Sequence, residues 1–136
     1  MKKSNQPVCD IDFIGTKRWF LNDRLHREDG PAIEFNDGSK YWYFHGQLHR
    51  EDGPVYEGVT GAKEYYLYGQ LHRKDGPAVE LANGRKHWFL NGKRHREDGP
   101  AVDWDDGYKQ WWYHDEWIDC DSQKEFERFI KLKVLW

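Results

Sequence analysis

The chain has 136 residues, of which 33% are charged and 38% hydrophobic, and its mean hydropathy is -1.07. Such low hydropathy is typical of disordered chains, but eight Trp, eight Tyr and seven Phe supply the apolar area that a folded domain needs. The net charge of -3 provides no basic footprint and disfavours a nucleic-acid partner. No apolar run reaches about 18 residues, so no membrane span is predicted.

Residues 1–7 form a polar tail that lacks the apolar stretch of a secretion signal. The two cysteines, Cys9 and Cys120, follow no metal-binding or redox spacing. A reducing compartment is the simplest match for this cysteine usage, so we predict a cytoplasmic protein with no cofactor.

A 23-residue period organises residues 8–120. The string His-Arg-Glu-Asp-Gly-Pro begins at His26, His49 and His95, and a variant with Lys in place of Glu begins at His72. A glycine recurs at the same interval, at Gly15, Gly38, Gly61, Gly84 and Gly107. The period predicts five repeats within a single domain, because each repeat can bury its apolar face only against its neighbours.

Each repeat is predicted to be a β-hairpin with a short third strand. In the second repeat, residues 31–35 and 40–44 are rich in β-branched and aromatic side chains, which favour strands. Turn residues separate the segments at 36–38 and 45–46, and residues 47–50 then lead into the Glu-Asp-Gly-Pro corner. We therefore expect an all-β fold, an elongated antiparallel β-meander of five hairpin repeats.

The strand register can be predicted from the turns. A two-residue turn at Asp37-Gly38 places Ile33 opposite Trp42 and so forms an apolar cross-strand pair. The second turn then places His49 opposite the same Trp42. The repeat histidines are accordingly expected to pack on their cross-strand Trp rings.

The period ends after Cys120. Ser122 and Glu125 have the spacing of a capping box, which marks the start of a helix. Apolar residues then recur at helical spacing, at Phe126, Phe129, Ile130 and Val134. These signals predict an amphipathic helix within residues 121–136 that caps the last repeat.

Two segments carry a resemblance to a known family: WFLNGKRHREDGPAV at 88–102 and QKEFERFIKLKVLW at 123–136. The aromatic-Leu-Asn-Gly hairpins resemble MORN-type repeats, in the form encoded by bacteriophages and large DNA viruses. The repeats differ from ordinary MORN units, which contain more glycine and lack the His-Arg-Glu-Asp-Gly-Pro corner. The resemblance implies a β-hairpin array, a viral source and a role as a scaffold or contact surface, and it implies no catalytic residues.

The histidines and acidic corners invite metal-binding and catalytic hypotheses. Equivalent residues in adjacent repeats lie about 10–14 Å apart, so two repeat histidines cannot share one zinc ion. An Asp before Gly-Pro is a common turn former, and four copies of one corner do not create the two different environments of a catalytic pair. We therefore predict no catalytic residues and no metal site.

Arginines and a second aromatic column are the candidate binding residues. Each arginine follows a repeat histidine and is expected, by strand alternation, on the face opposite the Trp column. It either pairs with neighbouring carboxylates or presents its guanidinium to phosphate or carboxylate groups. Interface hot spots favour Tyr, Trp and Arg. The predicted binding residues are Tyr43, Tyr66, Phe89, Trp112, Arg50, Arg73 and Arg96.

These features predict a non-enzymatic, virus-encoded binding protein that engages a host or viral protein through an aromatic and Arg-rich sheet face. Such a protein would act in the host cytoplasm as an adaptor or as an inhibitor of a host defence. The alternative is a small-ligand binder in which rings stack a base and Arg holds the phosphate of a nucleotide or another anion. A structural or assembly role is a third hypothesis, and free sheet edges would also permit homo-oligomers.

Overall fold

A computed structural model describes residues 5–135 of the chain. The first four residues of the predicted tail and the last residue of the predicted capping segment lie outside this range. The chain packs as two compact units, Met1–Gln70 and Leu71–Trp136, which are described in turn. The organisation into a single domain stays a prediction.

The first unit consists of short antiparallel strands. Its main sheet has the order β1-β2-β4-β5-β8-β9, with β3 paired to β2, while β6 and β7 form a separate hairpin. The strands are β1 (Val8–Ile11), β2 (Lys17–Leu21), β3 (Arg24–Leu25), β4 (Ile33–Glu34), β5 (Lys40–Tyr41), β6 (Tyr43–Phe44), β7 (Gln47–Leu48), β8 (Tyr56–Glu57), β9 (Lys63–Glu64) and β10 (Tyr66–Leu67). A further strand, β11 (Gln70–Leu71), spans the division between the units.

The second unit continues the same pattern and ends in a helix. Its main sheet has the order β12-β13-β16-β17-β18, and β14 and β15 form a separate hairpin. The elements are β12 (Val79–Glu80), β13 (Lys86–His87), β14 (Phe89–Leu90), β15 (Lys93–Arg94), β16 (Val102–Asp103), β17 (Lys109–Tyr113), β18 (Glu116–Ile118) and α1 (Gln123–Val134). The predicted all-β antiparallel meander with a C-terminal helix is confirmed.

The first turn of each hairpin differs from the prediction by one residue. Ile33 pairs with Tyr41, and not with Trp42, because the loop contains three residues. The Phe35 N–H donates to the Ser39 carbonyl, and Gly38 occupies the left-handed region with φ of 94°. A type I turn followed by a left-handed glycine is a common three-residue hairpin loop. The predicted Ile33–Trp42 pair is therefore wrong.

The corrected register creates a ladder of alternating charges on one face of the sheet. Lys40 lies between Glu34 and Glu57 on the two flanking strands, and Lys86 lies between Glu80 and Asp103. Opposite charges directly across strands stabilise a sheet modestly. The face that carries these lysines is charged, and Tyr41 and Tyr56, which pair across strands, lie on the opposite face.

The second turn agrees with the prediction. Tyr43 pairs with Leu48, and the His49 N–H donates to the Trp42 carbonyl at 3.4 Å. The turn residues His45 and Gly46 both have positive φ, at 47° and 80°, which is the geometry of a two-residue type I′ turn. Its backbone twist matches that of the flanking strands, so the predicted register beyond this turn is confirmed.

The cores are thin. Small apolar residues with no exposed surface lie at one repeat position, at Ala32 and Val55 in the first unit and at Ala78 and Ala101 in the second. Their size allows the backbone segments to approach closely.

The C-terminal helix supplies the largest fully buried side chain. Phe126 has no exposed surface and packs with Trp111 and Ile118 of the last hairpin. Ser122 caps the helix by accepting the Glu125 N–H at 3.2 Å, as predicted. The Glu125 carboxylate accepts the N–H of Asp121, at 3.1 Å, in place of that of Ser122.

Val134 is 71% exposed and does not join the buried side of the helix. The apolar stripe that contacts the last hairpin therefore ends near Ile130. Within residues 5–135, no helix is both long enough and apolar enough to cross a membrane.

Candidate functional site

In three repeat corners an arginine stacks on a tryptophan ring. The Arg50 guanidinium carbon lies 4.0 Å from the centroid of the Trp42 ring. Its Nε donates to Asp52 at 3.0 Å, and a terminal nitrogen donates to the Pro54 carbonyl at 3.0 Å and to Glu57 at 3.3 Å. The pairing of this arginine with neighbouring carboxylates is therefore confirmed, and its hydrogen bonds go to its own corner.

The same contacts recur in the other corners. Arg27 and Arg96 stack on Trp19 and Trp88 at 3.9 and 3.8 Å. Arg73 donates to the equivalent Asp, Pro carbonyl and Glu at 3.2, 3.1 and 3.1 Å. These arginines fold the corners, and a ligand would have to compete with bonds that already exist.

The predicted face of the arginines is wrong. Arg50 and Arg96 cover the Trp42 and Trp88 rings, although strand alternation placed them on the opposite side. The reason is that the strand Gln47–Leu48 ends before Arg50, so alternation no longer applies there. The structure therefore does not group these arginines with the second aromatic column.

The repeat histidines anchor the tip of the following hairpin. His49 Nδ1 accepts the backbone N–H of Tyr68 at 2.9 Å, and the two rings lie 4.1 Å apart. His95 makes the same pair with His114, at 2.9 and 4.1 Å. The His49 ring also lies 5.8 Å from that of Phe44, and its packing on Trp42 stays a prediction. An accepting Nδ1 requires a neutral imidazole, which agrees with a pKa of His95 that burial, and then the nearby His114, lower.

In the first unit, the predicted Tyr43 and Tyr66 belong to a larger tyrosine cluster. The rings of Tyr41 and Tyr56 lie 4.7 Å apart, and those of Tyr41 and Tyr43 lie 6.5 Å apart. Burial raises the pKa of Tyr66, and the neighbouring Glu64, Tyr41 and Tyr43 add to the effect. Burial also raises the pKa of Glu64. Half-buried phenol rings thus surround a carboxylate on this sheet face.

In the second unit, the predicted Phe89 and Trp112 are joined by an arginine that the sequence analysis did not select. The Arg94 guanidinium carbon lies 5.6 Å from the Phe89 ring centroid and 5.1 Å from that of Trp112. The Arg94 Nε is buried and has no hydrogen-bond partner. This arginine therefore differs from the corner arginines, whose Nε atoms donate to an aspartate.

Three further residues extend this cluster. Arg85 lies over the Trp104 ring at 3.8 Å, and the His87 ring is 6.4 Å from that of Trp104. The Trp104 indole nitrogen is buried without a partner. Burial, and then the charges of Arg94 and Arg85, lower the pKa of His87. We call these six residues the cationic-aromatic cluster: Arg85, His87, Phe89, Arg94, Trp104 and Trp112.

The cluster could have been found by comparing the repeats. Arg94 occupies the position of Leu25, Leu48 and Leu71 in the earlier repeats, and Arg85 occupies that of residues 16, 39 and 62, which are Thr, Ser and Ala. Positions that the repeats share produce a periodic signal in the sequence, whereas Arg85 and Arg94 stand where the repeats differ and so produce none.

Grooves of about 880 and 560 Å³ lie beside the corners in the first and second unit. The first is lined by Trp42 and Arg50 and by the carboxylates of residues 28, 29, 51 and 52. Asp29 and Asp52 pair with the corner arginines, whereas Glu28 and Glu51 lie 3.6 and 3.7 Å from the imidazoles of His26 and His49. The lining of the first groove therefore contains more carboxylates than guanidinium groups. In the described part of the chain, no group of three or more His, Cys, Asp or Glu residues is placed to hold a metal ion.

Comparisons with known proteins give no match: no family model matches the chain, and no curated protein is significantly similar to it.

Proposed function

We propose that this chain is a non-enzymatic binding protein that engages a protein partner through the ring-bearing sheet face. The tyrosine cluster of the first unit carries the proposal. Tyr41, Tyr43, Tyr56 and Tyr66 are all half-buried, so each ring keeps surface that a partner can cover. Tyr is enriched at the centres of interfaces because its ring adds apolar area while its hydroxyl can hydrogen-bond.

The corner arginines are not needed for this proposal. Arg50, Arg73 and Arg96 are hydrogen-bonded to their own corners, and breaking those bonds would offset the gain from a new contact. The contact surface is therefore the aromatic column and its neighbours, and the arginines hold it in shape.

The proposed source and partner are based on the resemblance to MORN-type repeats of bacteriophages and large DNA viruses. We propose that the protein is virus-encoded, acts in the host cytoplasm, and binds a host or viral protein as an adaptor or as an inhibitor of host defence. Sequestration of a nucleotide or other small anion is the alternative. Thermal-shift measurements with a nucleotide panel separate the two, because a ligand that binds the native state raises the melting temperature.

The direct test compares two double variants whose positions lie three residues apart in neighbouring strands, Tyr43 and Tyr66 in β6 and β10 and Lys40 and Lys63 in β5 and β9. Tyr43→Ser/Tyr66→Ser changes the aromatic face, whereas Lys40→Ser/Lys63→Ser removes exposed lysines from the other face. Tagged proteins are used to capture partners from infected-cell lysate, followed by mass spectrometry and a binding titration of the captured partner.

We expect the tyrosine variant to lose its partner at least tenfold and the lysine variant to bind as wild type does. Equal binding by both variants, at unchanged melting temperatures, would refute the proposed contact face. A benzoylphenylalanine cross-linker at position 66, compared with one at position 63, provides an independent measure of which face the partner covers.

A further inference from the structure

We propose that the cationic-aromatic cluster of the second unit is a docking site for an acidic peptide segment of a protein partner, an inference that rests on the proposed function and specifies its chemistry. Its cations would receive the carboxylates of the segment, and its rings would cover the adjoining aliphatic groups. Four observations support this assignment: placement, unsatisfied donors, uncompensated charge and departure from the repeat.

The cluster lies on one face of the sheet. Arg85 and His87 both lie against the Trp104 ring, at 3.8 and 6.4 Å, so their side chains share a side. Arg94 pairs directly with Phe89 across the β14–β15 hairpin, and His87 pairs with Val102 on the next strand. The contacts of Arg94 with Phe89 and of His87 with Trp104 join these residues into one surface.

Two donors of the cluster lack acceptors. The Arg94 Nε and the Trp104 Nε1 are both buried, and neither has a hydrogen-bond partner among the described residues. A buried donor without an acceptor costs about 1–3 kcal/mol of stability, which is why such groups are rare in native proteins. If a partner supplies the missing acceptors, the two donors serve binding, which explains why the chain keeps them despite their cost in stability.

The positive charge of the cluster is not compensated within the described chain. Neither Arg85 nor Arg94 forms a salt bridge with a residue between 5 and 135, whereas each corner arginine does. Asp115, the carboxylate bonded to Arg94, accepts only its backbone N–H, at 3.3 Å. The guanidinium groups of Arg85 and Arg94 therefore give this face two charges that are complementary to carboxylates, although the whole chain has a net charge of -3.

The fold does not require these charges. Three other repeats build the same hairpin with Leu at the position of Arg94. An arginine at a half-buried leucine position buries less apolar area and loses hydration of its charge, and both effects lower stability. Its contacts with the two aromatic rings offset this loss of stability only in part. A ligand-directed role accounts for the substitution, and the open sheet face suits a peptide better than an enclosing pocket would.

The probe is hexaglutamate, with hexaglutamine as the uncharged control, titrated into the full chain at low salt. The readouts are the NMR resonances of the Trp104 indole N–H and the Arg94 Nε–H. We expect both to shift saturably with hexaglutamate and to remain in place with hexaglutamine. No saturable shift with hexaglutamate would overturn the inference.

Arg94→Leu restores the residue of the earlier repeats, and Lys93→Leu is its matched control, since it removes the same charge from the adjacent exposed position. We expect Arg94→Leu to weaken hexaglutamate binding at least tenfold and to melt at or above the wild-type temperature, while Lys93→Leu binds within twofold of wild type. Equal losses in both variants would indicate unspecific charge attraction and overturn the assignment. A marked fall in the melting temperature of Arg94→Leu would show a structural role and would also overturn it.

Inorganic phosphate and a nucleoside monophosphate test the other source of an oxyanion. Saturation by either at a lower concentration than hexaglutamate would overturn the peptide assignment in favour of a small phosphorylated ligand. If hexaglutamate fails while Tyr43→Ser/Tyr66→Ser still loses the captured partner, this inference falls and the proposed function stands. If no variant affects the partner, the proposed function fails as well.

Discussion

Gly53 tests whether the arginine–tryptophan stack holds the repeat corner. A Cβ added at Gly53 would lie 2.9 Å from the Arg50 guanidinium carbon, closer than real contacts allow. The φ of Gly53 lies outside the left-handed region, so alanine fits its backbone. Gly53→Ala therefore forces the guanidinium to shift, and because this group contacts both Trp42 and the Pro54 carbonyl, we expect the shift to disrupt both contacts.

The expected magnitude follows from these two contacts. An unsatisfied Pro54 carbonyl costs about 1–3 kcal/mol, and loss of the cation–π stack costs about 0.5–2 kcal/mol. The exposed ion pair with Asp52, whose side chain is 87% exposed, adds little. We expect Gly53→Ala to lower the free energy of unfolding by about 2–4 kcal/mol in urea denaturation.

A double-mutant cycle isolates this effect. In an Arg50→Ala background the added methyl group meets no guanidinium, and Gly53→Ala should be neutral or stabilising by up to about 1 kcal/mol, because alanine restricts the unfolded chain. Coupling between the two sites is the expected result. If Gly53→Ala costs the same in both backgrounds, the stack does not hold the corner and the reasoning is refuted.

Two further predictions concern other parts of the second unit. Burial, and then the charge of His114, lower the pKa of His95 below its ordinary value of 6.5. Below pH 6.5 the unfolded chain therefore binds more protons at this residue than the folded chain does. The stability that neutral His95 contributes is present above that pH and is lost as the pH falls through the folded-state pKa. His95→Asn, which keeps an acceptor but does not titrate, should flatten the change in urea midpoint between acidic and neutral pH, and an unchanged pH dependence would count against this role. Phe126→Ala should cost about 3–5 kcal/mol because the ring is fully buried, whereas Leu132→Ala, at an exposed position, should cost under about 0.5 kcal/mol; equal effects in urea denaturation would contradict the packing of the helix.

The sequence predicted the parts of the fold that depend on local signals. The period, the type I′ turn at His45-Gly46 and the Ser122 cap each follow from residues close in sequence. The register of the first turn could not be predicted in this way, because Asp37-Gly38 is compatible with both a two-residue and a three-residue loop. One extra loop residue exchanges every cross-strand partner, so Lys40 meets Glu34 and Ile33 meets Tyr41.

The candidate site was harder to predict because it depends on side chains beyond the strand ends. Arg50 follows a two-residue strand, and its direction is set by Trp42, Pro54 and Glu57, not by alternation. The predicted aromatic residues Tyr43 and Tyr66 do lie in a ring cluster. Their partners Tyr41 and Tyr56 depended on the register, and so were not identified.

The repeat itself indicates where binding can evolve. The corner residues are bonded to one another, so changing Arg50 or Gly53 would cost stability before it altered recognition. One position of the repeat is not restricted by such bonds, because the five repeats carry five different residues there. These residues are Arg18, Tyr41, Glu64, His87 and Gln110. Since each lies within a regular strand or beside one, the backbone tolerates all of them, and stacked repeats can vary such positions independently. Two of the five, Tyr41 and His87, belong to the two clusters proposed as contact surfaces. Recognition is therefore expected to reside where successive repeats differ, on a scaffold held by what they share.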